Sequence, residues 1–248
     1  MHMEHANFYF HDVLNDFLPA GLEGKACPYD FDSHPAIKDA IESMGVPHTE
    51  VAVMLVNGNA VNFSYGLNYG DVVHVYPHAA HPEVASEYRQ DFLPAGRPAF
   101  VLDVHVGKLA RYLRTAGFDT IYTPVYMGDA EIACIAERDD RIVVTRDVGL
   151  LKRSQIRYGY WLRQTQSRQQ FRELVSHYRL KDLFRPFSRC PHCNGKVRPV
   201  EKSSVSNRLP GRVASDPGLQ NFVQCCDCGQ VYWEGSHYAR MQEFFDSV

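Results

Sequence analysis

The amino-acid sequence predicts an α/β fold: a parallel sheet in the middle of the chain, a small α+β domain before it and a cysteine-rich module after it. Three observations carry that reading. Two short apolar runs, Phe100-Val-Leu102 and Ile142-Val-Val144, each lead to an acid, Asp103 and Asp147. Helical patterns and a third apolar run lie between them, which makes a βαβαβ unit whose parallel strands end on one sheet edge. Two Cys-x-x-Cys pairs, Cys190/Cys193 and Cys225/Cys228, stand 31 residues apart further along.

Length and charge bound the possibilities. The 248 residues suffice for more than one core. No run approaches the roughly 20 apolar residues that span a bilayer. The opening Met1-His-Met-Glu-His5 is neither basic nor followed by an apolar stretch, so it does not read as a secretory signal. A cytoplasmic protein with no membrane segment is expected. The net charge of −3 hides an asymmetry: residues 1–82 carry ten acids and two bases, whereas residues 152–212 carry 15 Lys and Arg against three acids. A single charge run is usually a solvated face. So large a local excess points instead to a polyanion, and nucleic acid is the expected partner.

In residues 1–82, Phe8–His11 and Cys27–Phe31 alternate as strands, and Ser33 is placed to cap a helix over Ala36–Met44. Val51–Val56 is an apolar strand, Asn57-Gly58 a hairpin turn, Val61–Phe63 the return, and Val72–Tyr76 a closing strand. This order resembles the β-grasp (ubiquitin-like) fold of sulfur carriers. Such carriers end in Gly-Gly, whereas here the strand runs on into Pro77-His-Ala-Ala-His-Pro82, so a binding role for a protein partner is expected rather than carrier chemistry. His74, His78 and His81 read as incidental to a linker rather than as a metal site. Residues 83–98, polar and holding Pro94, Gly96 and Pro98, continue that linker.

The central domain is expected over 99–187. After Asp103, Leu109, Tyr112, Leu113 and Ala116 share a helix face that ends at Gly117. Asp119–Thr123 is the second strand, and Gly128-Asp129 opens a helix with Ile132, Ala133, Ile135 and Ala136 inward. Arg141–Thr145 is the third strand and Tyr158–Leu162 a fourth. Phe171, Leu174, Val175 and Tyr178 mark a further helix.

Asp103, Asp129, Glu131 and Asp147 are the candidate catalytic set. Carboxylates gathered on one sheet edge cannot all ionise without cations, and Mg²⁺ or Mn²⁺, hard ions that take oxygen ligands, suit them. Such an ion serves phosphodiester hydrolysis. The plainer alternatives are helix N-caps for the aspartates and a helix-dipole partner for Glu131. Arg146 directly precedes Asp147, and Lys108 and Arg111 face out near the start of the first helix of the central domain, so each is a candidate to hold a phosphate, with Lys152 and Arg153 just beyond Asp147.

Residues 188–248 read as a zinc ribbon with a closing helix from Ser236. Cys190, Cys193, Cys225 and Cys228 would close a tetrahedral shell around one structural Zn²⁺, Gly195 and Gly229 turning each knuckle. Cys226 is expected to be a bystander and His192 a weaker ligand. Arg189, Lys196, Arg198, Lys202, Arg208 and Arg212 are the basic candidates for nucleic-acid phosphates, with Tyr232, Trp233, His237 and Tyr238 available to stack on unpaired bases; nothing in the spacing separates RNA from DNA. Trp233 has the second option of packing beneath the ribbon.

Asp103 with Gly107-Lys-Leu-Ala-Arg-Tyr-Leu-Arg-Thr-Ala-Gly-Phe-Asp119, Gly128-Asp-Ala-Glu131, Val144-Thr-Arg-Asp147, Cys190-Pro-His-Cys-Asn-Gly195 and Val231-Tyr-Trp-Glu-Gly-Ser-His237 resemble the Mut-seven C-terminal RNase family. The resemblance spans roughly 99–242. It implies a PIN-like domain, a three-layer α/β/α arrangement with a parallel sheet, followed by a zinc ribbon; bacterial members often carry a ubiquitin-like domain in front. It also implies endoribonuclease activity with Asp103, Asp129 and Asp147 in the acidic set and Glu131 as candidate fourth acid. RNA is the implied partner, whether tRNA, rRNA or mRNA. The rival function is a non-catalytic RNA-binding or adaptor protein that keeps the fold.

Overall fold

Ala6, Phe8 and Phe10 are buried along β1 (Glu4–Phe10), while His5, Asn7 and Tyr9 on the other face stay half-exposed, the period-two pattern of a strand with one face on a core. The structure is a computed structural model that describes residues 4–122 and 127–248. Those residues fall into two compact units, Met1–Gly96 with Gly128–Trp161, and Arg97–Met127 with Leu162–Val248.

A 3₁₀ turn at Asp12–Phe17 leads from β1 to its antiparallel partner β2 (Cys27–Phe31). Helix α1 (Ile37–Ser43) buries Ile37, Ala40 and Ile41. Its N-cap is Ala36, not Ser33: Ala36 bridges Gly66, and the Ile37 N–H donates to the Tyr65 carbonyl at 2.8 Å. A neighbouring segment thus does what a capping hydroxyl would have done. A 3₁₀ turn at His48–Glu50 enters β3 (Val51–Val56), and β4 (Asn59–Val61) returns through Asn57-Gly58, both at positive φ as a tight hairpin requires. Strand β5 (Val72–Pro77) lies parallel to β1 and antiparallel to β3, giving the order β2-β1-β5-β3-β4. This is the ubiquitin-like fold, closed over Phe8, Leu14, Ile37, Ile41, Met54 and Leu67.

In the second unit, β6 (Ala99–Leu102) ends at Asp103, and a 3₁₀ turn at Val104–Val106 runs into α2 (Gly107–Thr115). Leu109, Ala110 and Leu113 are buried on the expected face, together with Arg114. Strand β7 (Asp119–Ile121) pairs in parallel with β6; Thr123, the end expected from sequence, lies outside the described residues. Gly117 joins α2 to β7 at φ +94°, and a Cβ there would stand 2.3 Å from the Arg185 carbonyl oxygen.

The first unit resumes with α3 (Asp129–Asp139), which buries Ile132, Ala133 and Ala136. Fully buried β8 (Ile142–Thr145) ends beside Asp147, α4 (Val148–Leu151) is a single turn, and β9 (Gly159–Trp161) pairs in parallel with β8. These elements pack on the ubiquitin-like residues of the same unit. The Trp161 N–H donates to Glu50 Oε1 at 2.8 Å, His48 Nε2 lies 2.8 Å from the Ile156 carbonyl, and Lys152 Nζ donates to the Glu42 carbonyl at 2.6 Å.

The second unit ends with α5 (Ser167–Tyr178), which buries Phe171, Leu174, Val175 and Tyr178 as the spacing predicts, and then the cysteine module. There β10 (Val197–Val200), β11 (Phe222–Cys225) and β12 (Val231–Trp233) form an antiparallel sheet. The polar stretch between the cysteine pairs folds as two single-turn helices, α6 (Lys202–Val205) and α7 (Gly211–Ala214), over Val205, Leu209, Phe222 and Val231. Closing helix α8 (Ser236–Asp246) sends Phe244 and Phe245 against Phe171. Among the described residues no helix is long and apolar enough to cross a membrane.

Gly117→Ala is expected to cost about 2 kcal/mol or more, because it adds left-handed strain to a backbone clash. A lowered urea midpoint checks it, and an unchanged midpoint would show that the turn relaxes freely.

Candidate active site and metal centre

Asp147 stands at the end of β8, where the chain turns into α4. Its own N–H donates to Thr145 Oγ1 at 2.9 Å, and its Oδ1 accepts from the Gly149 N–H at 2.7 Å. Asp147 is therefore the N-cap of α4, yet the side chain is exposed and only Oδ1 is committed. Asp103 repeats the arrangement at the end of β6: 7% exposed, it accepts the His105 N–H on Oδ1 at 3.1 Å and caps the 3₁₀ turn. A carboxylate has about four lone-pair sites, so the backbone bond to Gly149 does not exhaust that of Asp147.

Asp129 and Glu131 share the first turn of α3, whose N-cap is Gly128, so the capping position falls one residue before Asp129. Both carboxylates sit at the positive end of the helix. Among the described residues of this unit, no three of its His, Cys, Asp or Glu side chains bring ligand atoms within 4.8 Å of one another. A Mg²⁺ ion, which keeps several waters and takes one or two carboxylates directly, does not need so tight a group.

The four cysteines do converge. The sulfur atoms of Cys190, Cys193, Cys225 and Cys228 all lie within 4.8 Å, with Cys190–Cys228 at 3.7 Å and Cys193–Cys225 at 3.4 Å. A disulfide needs about 2.05 Å, whereas thiolates around one zinc sit about 3.8 Å apart. The group could hold a metal such as zinc. Burial pushes the Cys190 thiol up, but the Tyr232 hydroxyl at 3.0 Å and the N–H groups of Cys193 and His192 bring it down to about 7. Burial pushes Cys193 the other way, to about 12, with neighbouring thiols adding to it. Thiols crowded in this way ionise together only around a cation. Cys226 is exposed and outside the group, and His192 is not part of it.

A partly buried hydrogen-bond network ties this cluster to α2 and β7. Arg114, 4% exposed, donates to the carbonyls of His192 at 2.7 Å, Thr120 at 3.0 Å and Tyr122 at 3.2 Å. Asp119 receives Arg189 at 3.0 Å and the Asn194 amide at 2.9 Å, and Asn194 Oδ1 accepts the Thr120 N–H at 3.0 Å.

The model of the Mut7-C RNAse domain matches residues 98–245 of this chain. The chain belongs to the Mut7-C RNAse family. The model of the Mut7-C ubiquitin domain matches residues 3–83 in front of it. No curated protein matches. Among solved structures, the small archaeal modifier protein 1 of H. volcanii is similar over 30% of this chain and 97% of its own, at 17% identity and a TM-score of 0.23.

In the Mut7-C chain the expected RNA contacts sort by what they touch. Lys108, Arg111, Arg146, Arg198 and His237 are exposed, and Arg153 is half-buried. Lys152, half-buried, is instead engaged on Glu42, an in-chain partner that its sequence neighbours do not reveal. Trp233 takes its second option and packs against the ribbon cluster. Arg189 is paired with Asp119, and Arg208 donates to the Gly229 carbonyl at 2.6 Å. Sequence reasoning missed Arg114 and Asn194, and it gave Tyr232 a base-stacking role where the structure places its hydroxyl against Cys190 Sγ. The one signal for Arg114 was a cation on the apolar face of α2.

Cys225→Ser should lose the bound metal, falling from about one ion per chain to nearly none, while Cys226→Ser should keep it. Elemental analysis of the purified variants decides this. Equal metal content in both would show that the four-sulfur group is not the site.

Proposed function

We propose that this Mut7-C chain is a metal-dependent endoribonuclease. The observation that carries the proposal is the match of the RNAse-domain model to 98–245, the segment in which Asp103 and Asp147 follow buried strands and Asp129 and Glu131 open a helix. In this reading those four acids hold Mg²⁺ or Mn²⁺. The donors fit: all are carboxylate oxygens, and the two strand-end acids are oriented by backbone N–H groups on one oxygen. When bound, the ion supplies Lewis-acid stabilisation of the charge that develops on the phosphodiester.

The chain's own residues do the rest. The acids balance the ion and fix its place. Arg146, Lys108 and Arg111 orient phosphates, while Arg153, Arg198 and His237 extend the contact along the strand. The four-cysteine group, as a zinc site, has no open position for water and serves to hold the basic module. The ubiquitin-like domain offers a surface for a protein partner.

A second reading, a non-catalytic RNA-binding protein, draws on the looser acidic grouping within the first unit. The two separate in one assay, RNA incubated with Mg²⁺ or Mn²⁺. Asp147→Asn is expected to reduce cleavage by roughly 100-fold or more while RNA binding persists. Cleavage at the wild-type rate, or none by either protein, would favour the binding role.

A further inference from the structure

The Arg146–Asp147 peptide group is held at both ends. Its carbonyl, that of Arg146, accepts a hydrogen bond from Trp161 Nε1 at 3.1 Å, and its N–H, that of Asp147, donates to the buried Thr145 Oγ1 at 2.9 Å. With Gly149 on Oδ1, Asp147 is fixed by its own peptide plane as well as by its side chain. Trp161 is itself anchored in the ubiquitin-like part of the same unit. Its ring meets Phe17 with centroids 5.0 Å apart at 51°, and its N–H donates to the carboxylate of Glu50, which is 4% exposed. Phe17 and Glu50 end the two 3₁₀ turns that the ubiquitin-like fold inserts before β2 and β3.

We propose that Trp161 is a positioning residue through which the ubiquitin-like domain sets the orientation of the Asp147 carboxylate. The proposal rests on the nuclease reading for its consequence, since Asp147 is there a metal ligand. The anchoring itself concerns this chain alone. Tilting the peptide plane would swing Cα–Cβ of Asp147 and with it the oxygen not bound to Gly149. The ubiquitin-like domain is then a structural part of the acidic site, and a ligand that displaced Phe17 or Glu50 would act on the site from outside it.

The test uses the full chain and two readouts. Trp161→Phe keeps a ring against Phe17 but removes the Nε1 donor. It should speed hydrogen exchange at the Asp147 and Gly149 amides and weaken Mn²⁺ binding, followed by electron paramagnetic resonance, by about three- to tenfold, the scale of one hydrogen bond. In RNA cleavage the loss should appear in kcat at saturating substrate, with KM for RNA little changed. Glu50→Gln, which keeps an oxygen acceptor for the Trp161 N–H, should stay close to wild type, while Glu50→Ala should resemble Trp161→Phe. Unchanged exchange at both amides in Trp161→Phe would overturn the proposal whatever the metal does. Wild-type Mn²⁺ affinity in Trp161→Phe, alongside loss of binding in Asp147→Asn, would overturn it while leaving the nuclease reading intact. If Asp147→Asn binds Mn²⁺ like wild type, the nuclease reading fails, and the exchange measurement alone decides whether Trp161 anchors the turn.

Discussion

Where a buried parallel strand stops, the first N–H groups of the following turn have no partner in the sheet, and that constraint organises both strand ends described here. Asp103 and Asp147 each answer it with one carboxylate oxygen. The acids are therefore held by the chain before any ion or substrate arrives. Capping and ion binding are often treated as competing explanations of a strand-end aspartate. Here they are compatible, because a carboxylate can serve a backbone donor and a cation at once.

The same logic explains how the two flanking modules are used. The cysteine module is joined to α2 and β7 by Arg114, Asp119, Arg189 and Asn194, so it is built into the second unit rather than hung from it. In the first unit the ubiquitin-like residues meet β9 through Glu50 and Phe17, and the segment just before it through His48 and Ile156. Neither module merely carries charge. A resident metal would strengthen the first connection, and a partner protein could work on the second.

The elements readable from the chain alone were those whose cause is local. Val51–Val56 and Ile142–Thr145 are apolar runs long enough to be buried strands, Asn57-Gly58 is a turn by its own backbone preference, and the cysteine spacing names the sulfur group. What stayed hidden depends on partners far along the sequence. Ser33 looked like a cap because nothing nearby announced that Tyr65 would satisfy Ile37. Lys152 looked like a phosphate contact because its partner, Glu42, lies 110 residues away. Trp161 gave no signal at all, since its role comes from Phe17, Glu50 and Arg146 meeting around one ring.

The central claim is that the acids at the strand ends hold a divalent cation. Anomalous scattering from crystals soaked in Mn²⁺ tests it most directly. The account expects a manganese peak within coordination distance of a carboxylate oxygen of Asp147 and of at least one of Asp103, Asp129 and Glu131. Manganese found elsewhere, with those carboxylates bonded only to protein and water, would contradict it.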